Sequence, residues 1–481
     1  MMLRGKSPAR LVPTTDRTLR GVLQALAEID PGERTDIAHV LGMAQMVLGN
    51  LVTRESAETL AVLGGLEADI DALVTRCGGG IAPASPLTGY DAMVARLTGC
   101  MARLTAVLHD GAAVDPGVLQ EAEALEARFY AALMPAAASA VSEIPPLTAE
   151  RFEAYLHARF PGDYERVSRF TRLVGGFQKE TILVDAIRSD GEEVAMVIRA
   201  EKSDRFVKFT ASAITDEFSV VRLMWKRGIP VAEPLWLEAD EARLGRRFMV
   251  SRRAAGRNTG SAYGDSQRFP EALVRSYLDT LARIHNQPID DRLAATALGQ
   301  WTGHATLAEN TRAEIAAWRH QIWLSPAPAS PSFARLFDWL EANVPDDDEP
   351  VRVLHNDFGP HNILVEGDTV SAVLDWEIAR LGDPAEDLSF FVQCAGSAID
   401  REDAVALYEE LSGNRISRFR MAYFDVLSIG KVLVSTLSAA AMYQETEPAL
   451  IDWMQMPLRG HGAYQALTET RIAAAEAVRG T

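Results

Sequence analysis

Residues 351–391 read VRVLHNDFGPHNILVEGDTVSAVLDWEIARLGDPAEDLSFF, the densest run of chemically capable side chains in the chain. VRVL is a short apolar strand that ends in His355-Asn356-Asp357, and Gly359-Pro360 forces a loop. Asn362 starts a second strand, Glu366-Gly367-Asp368 turns the chain, and VSAVL brings it back to Asp375. This hairpin gathers Asp357, Asn362 and Asp375 at one end. Two carboxylates and an amide oxygen are hard oxygen ligands, suited to Mg²⁺. One of the carboxylates could instead take the proton of a hydroxyl nucleophile. A metal site beside a base is what phosphoryl transfer needs, because its catalysis is mostly positioning and charge neutralisation.

The pattern H-x-D-x-x-x-x-N followed by Asp375-Trp376-Glu377 resembles the aminoglycoside phosphotransferase and choline kinase-like family, a branch of the protein-kinase-like fold. The resemblance implies roles. Asp357 would be the catalytic base and Asn362 and Asp375 the Mg²⁺ ligands. His355 would brace the catalytic loop. Gly382-Asp383-Pro384 leads to Asp387, which would support the same loop. The cosubstrate implied is ATP, and the acceptor a hydroxyl on a small molecule.

The half of the chain before this block should then bind the nucleotide. Leu173-Val174-Gly175-Gly176-Phe177-Gln178-Lys179-Glu180-Thr181 lies between predicted strands. Gly175 and Gly176 let backbone approach a polyphosphate, and Gln178 and Thr181 can add side-chain contacts. The resemblance places a phosphate-holding cation on the next strand. Arg199 stands where the kinase pattern has Lys, with Lys202 as the fallback. Glu217, in the first turn of a helix that Thr215 could cap, would pair with that cation. Phe248 to Arg252 would form the hinge, where Met249 and Ser251 meet the adenine. Leu281-Ala282-Arg283-Ile284-His285 resembles the family's entry into the large lobe, and His285 reads as a bracing residue.

These groups need a frame. TILVDAI and EVAMVIRA flank Asp190-Gly191 and read as a hairpin, and RRFMVSR as a further strand. Beyond about residue 270 helix dominates. The expected fold is α+β: a bilobal protein-kinase-like fold with a small β-rich N-lobe at 151–258 and a larger helical C-lobe at 259–481. An all-α helical bundle at 1–134 precedes it, where Ile37 to Leu51, Met93 to Leu108 and Val118 to Leu133 each carry an apolar helical stripe. An Ala/Pro/Ser-rich linker at 135–150 separates the two. The bundle reads as a structural element, or as the surface for a homodimer or a partner protein.

Composition limits the rest. A net charge of −18 disfavours nucleic acid as a partner. Three widely spaced cysteines, Cys77, Cys100 and Cys394, form no metal pattern and suit a reducing compartment. The N-terminus carries no apolar signal segment, and VLVSTLSAAAM after Lys431 is too short for a membrane span. The expected location is cytoplasmic, with no membrane partner. For the acceptor, Arg243, Arg246, Arg247, Arg252, Arg253 and Arg257 form a basic run that could hold the phosphates of coenzyme A, or be a solvated strand edge. In texture the chain resembles most the acyl-CoA-dehydrogenase-associated branch of the family, which implies a hydroxyacyl-CoA or another small hydroxyl compound. An aminoglycoside or macrolide acceptor is the alternative. A nucleotide-binding pseudokinase that recruits a partner is the rival of another class.

Overall fold

The computed structural model describes residues 57–80, 93, 96–97, 99–104, 116–132, 147–173, 179–201, 213–260, 267–304, 306–323, 331–347, 349–445 and 461–479. The glycine-loop residues Gly175, Gly176 and Gln178 lie outside these, as do Lys202, the stripe at Ile37 to Leu51 and most of the linker.

Helices α1 (Ala57–Arg76) and α2 (Pro116–Ala132) pack with the helical residues of 93–104. They share an apolar core of their own: Leu63, Leu66, Ile70, Leu73 and Val74 meet Leu97, Met101, Leu104, Ala122 and Leu125. The stripes read at 93–108 and 118–133 are thus, over their described part, the buried faces.

Helix α3 (Ala149–Arg159) begins at Thr148, whose side chain accepts from Arg151 N at 3.3 Å. It covers one face of a five-stranded antiparallel sheet. The strands are β1 (Tyr164–Leu173), β2 (Lys179–Arg188), β3 (Glu193–Glu201), β4 (Pro234–Glu238) and β5 (Phe248–Arg252), in the order β1-β2-β3-β5-β4. Helix α4 (Ile214–Lys226) falls between β3 and β4. Gly191, at φ +89°, makes the expected β2–β3 turn. Strand alternation decides which side chains meet the core. Ile182, Val184, Met196, Ile198, Phe248 and Val250 are buried against Phe152, Tyr155 and Leu156. The opposite face aligns Thr181 with Arg199 and Arg199 with Met249, and beside them Leu183 with Val197 and Val197 with Ser251. That row includes four residues expected to meet the nucleotide.

The expectation that Thr215 caps α4 is corrected. The N-cap is Ala213, with no side-chain bond, and the Glu201 carboxylate accepts from Ile214 N at 2.9 Å instead. A carboxylate at a helix N-terminus meets the same orphan donors and suits the helix dipole.

The second lobe contains α5 (Glu271–His285), α6 (Leu307–Trp323), α7 (Pro331–Ala342), α8 (Pro384–Ala395), α9 (Arg401–Ser412), α10 (Arg418–Glu445) and α11 (His461–Ala477). Two small sheets sit among them. One pairs β6 (Arg352–Leu354) with β9 (Arg380–Gly382), and the other is the hairpin of β7 (Ile363–Glu366) and β8 (Thr369–Val373). One continuous apolar core joins these elements, from Val220 of α4 through Tyr277, Trp376 and Phe391 to Ala475. Residues Arg418–Ser438 of α10 are long and apolar enough to cross a membrane, but 72% of their most apolar window is buried inside the protein. Burial of that kind marks a core helix.

The lobes are joined by more than the chain. Arg257 N donates to Val365 O at 3.1 Å and Val365 N to Arg257 O at 3.0 Å, so the segment after the hinge strand pairs with the catalytic hairpin. Gly256, at φ +105°, permits this approach: a Cβ there would stand 2.6 Å from Ser371 Oγ and 2.7 Å from Val365 O. Helix α2 is tied to the second lobe as well, through Arg335 of α7, which bridges Glu123 at 2.9 Å and Glu469 at 2.6 Å.

Candidate active site

The catalytic hairpin does what its spacing predicts. Asn362 ends a one-turn helix just before β7, and Asp375 follows β8 by one residue. Leu374 N donates to Asn362 O at 2.8 Å, which holds the two ends of the hairpin together. Asn362 Nδ2 donates to Asp357 Oδ2 at 2.8 Å and to Asp357 O at 3.1 Å. Its amide nitrogen is therefore committed to the base position, and Oδ1 is the atom left for a cation.

The loop carrying Asp357 is held from below. Asp387, in the first turn of α8, accepts from His355 N at 2.8 Å and from Asn356 N at 2.6 Å. It also meets His285 Nε2 at 3.1 Å, while His285 Nδ1 meets Tyr408 Oη at 2.6 Å. His285 is fully buried, as a bracing residue would be. His355 links the two carboxylate positions: its Nδ1 accepts from Asp357 N at 3.2 Å and its Nε2 meets Leu374 O at 2.9 Å. Those partners assign the neutral Nε2–H tautomer. Trp376 packs edge-on against that ring at 4.7 Å between centroids.

Asn356 (φ 71°) and Asp375 (φ 64°) are the non-glycine residues in the left-handed region among the described residues. That region is sterically costly for most side chains and collects at sites whose surroundings over-determine it. Here both fall in the catalytic block.

Across the cleft stand the cations. Arg199 Nη2 meets Asp375 Oδ1 at 2.8 Å and lies 3.5 Å from Glu217 Oε1. Glu217 is 1% exposed, and its nearer partner is Lys179 Nζ at 2.6 Å. Lys179 also reaches Glu377 Oε2 at 2.7 Å. Arg199 and Lys179, two strand cations, thus share Glu217, Asp375 and Glu377. Burial works against each charge, and the partners decide the outcome. For Asp375 the guanidinium of Arg199, then Lys179, outweigh burial and hold the carboxyl below its ordinary range. For Lys179 the carboxylates of Glu217 and Glu377 outweigh burial and raise it. Glu377 goes the other way: burial and the adjacent Asp375 push it up to about 7.

Of these groups Arg199, Glu217 and Asp375 border one cleft of about 500 Å³ between the lobes. Its walls include Thr181, Arg199, Glu217, Met249, Ser251, Asn362 and Asp375, with apolar Leu183, Val197, Ala232, Leu364 and Val373. The structure thus gathers seven of the expected residues around one cavity, with Asp357 bonded to its Asn362 wall. Among the described residues no three His, Cys, Asp or Glu side chains form a metal cage of their own. The donors present, Asp375 and Asn362 Oδ1, fit a Mg²⁺ ion that keeps waters and is completed by phosphate oxygens.

Three residues gain no role in the sequence reading. Lys179 was passed over as part of the glycine-loop run, and Glu377 as part of the DWE motif. His361, 3.6 Å from Asp357 Oδ1, was passed over too. Of the two readings of the basic run, the structure is nearer the strand edge: Arg243 pairs with Asp240, Arg246 with Glu180, Arg247 with Glu201 and Glu241, Arg252 with Glu233, and Arg253 with Asp185. Five of the six arginines are in ion pairs, and Arg243 and Arg252 remain exposed.

Comparison with known proteins agrees with this geometry. Residues 186–422 match the model of the phosphotransferase enzyme family. Over those residues the chain is similar to that family. Acyl-CoA dehydrogenase family member 11 of Rattus norvegicus is 28% identical over 277 residues, 54% of this chain. The match covers 34% of that relative, so the chain spans about a third of its length. Hygromycin-B 4-O-kinase of Escherichia coli is 24% identical over 253 residues, 50% of this chain and 65% of that one. A Ralstonia eutropha protein described as a candidate aminoglycoside phosphotransferase superposes with a TM-score of 0.52 at 20% identity, covering 69% of this chain and 99% of that one. The fold is therefore the kinase-like phosphotransferase fold, in the α+β form expected.

Proposed function

We propose that this protein is an ATP- and Mg²⁺-dependent phosphotransferase that acts on a hydroxyl group of a small molecule. The observation that carries this is the junction at Asn362, which bonds Asp357 through its amide nitrogen and lines the same interlobe cleft as Asp375. Asp357 accepts the proton of the acceptor hydroxyl and orients its oxygen for in-line attack. Asp375 and Asn362 Oδ1 hold the metal, which neutralises phosphate charge when bound. Arg199, kept in place by Glu217, binds phosphate oxygens once its contact with Asp375 opens. The apolar wall of Leu183, Val197, Leu364 and Val373, with Met249 and Ser251 on the hinge strand, covers the base.

For the acceptor class, relatives named acyl-CoA dehydrogenase family members support a hydroxyacyl-CoA, and the relative named hygromycin-B 4-O-kinase supports an aminoglycoside. The former is preferred on the resemblance alone, since most of the basic run is already paired with carboxylates. The test is ADP release by the full chain with Mg·ATP against hydroxyacyl-CoAs, aminoglycosides, macrolides and amino alcohols. Turnover with one class that disappears in Asp357→Ala supports the reading. Absence of Mg-dependent nucleotide binding refutes it and leaves a partner-binding role.

A further inference from the structure

A second ionic cluster lies beneath the catalytic loop, away from the cleft. Lys431 of α10 is 13% exposed and meets Glu314 Oε1 of α6 at 2.6 Å and the Glu386 carboxylate of α8. Arg380 of β9, 2% exposed, pairs with the same two carboxylates and donates to Asn310 Oδ1 at 2.8 Å. Two cations and two carboxylates cancel, so the cluster is neutral only while Lys431 carries its proton.

The cluster touches the catalytic loop at one hydrogen bond: Lys431 Nζ donates to Asn356 Oδ1 at 2.8 Å. Asn356 holds the left-handed conformation immediately before Asp357. Its N–H is bound to Asp387 Oδ1 at 2.6 Å and its Nδ2 to Ile378 O at 3.2 Å. With Lys431 on Oδ1, every polar atom of this side chain is fixed. A left-handed residue persists where its surroundings leave it no choice, and residue 356 sets the direction in which the chain leaves for Asp357.

We propose that Lys431 is a positioning residue for the base: its charged ammonium, anchored by Glu314 and Glu386, locks the Asn356 amide and so aims Asp357 at the acceptor. This rests on the phosphotransferase reading above. The clamp has a pH limit. Burial pushes the Lys431 ammonium down to about 8, with Glu314 pulling up and Arg380 pushing further down. The groups that face it are Glu314 on α6, Glu386 on α8, Arg380 on β9 and Asp357 on the loop. On α10 itself, Arg420 is taken by Asp383, and Asp425 by Arg401 and Arg471. Above that pH a neutral amine leaves the cluster one negative charge in excess under the base.

The test uses the full chain, ADP release from Mg·ATP with water as the acceptor, and calorimetric binding of AMP-PNP. Lys431→Met is expected to lower turnover at pH 7 by about tenfold or more, less than the roughly 10²–10⁴ of a lost base, with AMP-PNP affinity within about twofold. Lys431→Arg is expected to restore most of the rate. The wild-type rate is expected to fall above pH 8, and in Lys431→Arg to fall about one pH unit or more later, because Arg stays charged. Unchanged turnover in Lys431→Met overturns the proposal, as does a high-pH limb that Lys431→Arg leaves in place. The Arg variant decides alone if the Met variant does not fold. Asp357→Asn separates the two readings. If it is inactive while Lys431→Met is normal, only the clamp fails. If it is as active as wild type, the base assignment fails, and hydrogen exchange at 355–358 then judges the clamp: faster exchange in Lys431→Met supports it and unchanged exchange overturns it.

Discussion

Lys179→Met removes the cation that joins the two lobes behind the cleft. Lys179 is 3% exposed and its partners Glu217 and Glu377 are 1% and 21% exposed. Removing one member of a buried ion pair leaves an uncompensated charge and costs about 3–5 kcal/mol. Two features pull the cost to the lower end. Arg199 still lies 3.5 Å from Glu217 and 4.0 Å from Glu377, and Glu377 keeps some contact with water. A loss of about 3 kcal/mol is roughly 150-fold in the folding equilibrium. At about 2–4 °C per kcal/mol for a domain of this size, the melting temperature falls by on the order of 6–12 °C.

The loss also depends on pH, with a definite sign. Glu377 is already pushed up to about 7, above its ordinary carboxyl value, and losing Lys179 pushes it further up. A carboxyl raised in the folded state contributes stability below its unfolded value, and loses it as pH rises through the folded value. The deficit of Lys179→Met should therefore be smaller at pH 5.5 than at pH 7.5. Adding Glu377→Gln removes one orphan charge and should recover part of the loss, a coupling read by a double-mutant cycle. Thermal scans of the full chain by circular dichroism measure all four species. A melting temperature unchanged at pH 7.5, or a deficit that grows on acidification, would refute the interlobe bridge.

Asp357→Asn should cut turnover by about 10²–10⁴ while AMP-PNP affinity stays within about twofold by calorimetry, the signature of a lost base. Asp375→Asn should bind AMP-PNP equally with and without Mg²⁺, whereas the wild type should need the metal; a metal response retained in the variant removes Asp375 from the ligand set. Gly256→Ala combines φ +105° with a Cβ 2.6 Å from Ser371 Oγ, so it should cost about 2 kcal/mol or more and lower the melting temperature measurably.

How much of this was legible in the chain follows from distance. Asp357, Asn362 and Asp375 lie within one hairpin, so turn chemistry and spacing alone brought them together. The sheet row of Thr181, Arg199, Met249 and Ser251 was legible because alternation puts side chains two apart on one face. Lys179 was not legible. Its partners are 38 and 198 residues away, and the run around it reads equally well as a solvated turn. The pairing of the basic run at 243–257 was hidden for the same reason: Arg246 finds Glu180 66 positions earlier, on β2. Thr215 looked like a helix cap because capping was judged from adjacent residues, whereas the oxygen used comes from Glu201, 13 residues back. Local grammar predicts local geometry, and ion pairing across a fold is not local.

The charges of the cleft themselves argue for a divalent cation. Glu217, Asp375 and Glu377 face Arg199 and Lys179, so the two cations are already matched by carboxylates before any nucleotide enters. A triphosphate adds several more negative charges. Arg199 Nη2 already meets the Asp375 carboxylate at 2.8 Å, so this nitrogen reaches a phosphate only by giving up that contact. If Arg199 left Asp375 with nothing in exchange, a half-buried carboxylate would lose its cation, an unfavourable state. If Asp375 and Asn362 held a divalent cation, its charge would let Arg199 go without that penalty. Metal and nucleotide should therefore enter together. With Asp375→Asn the guanidinium is free from the start, and for that reason nucleotide affinity in the variant should no longer respond to the metal.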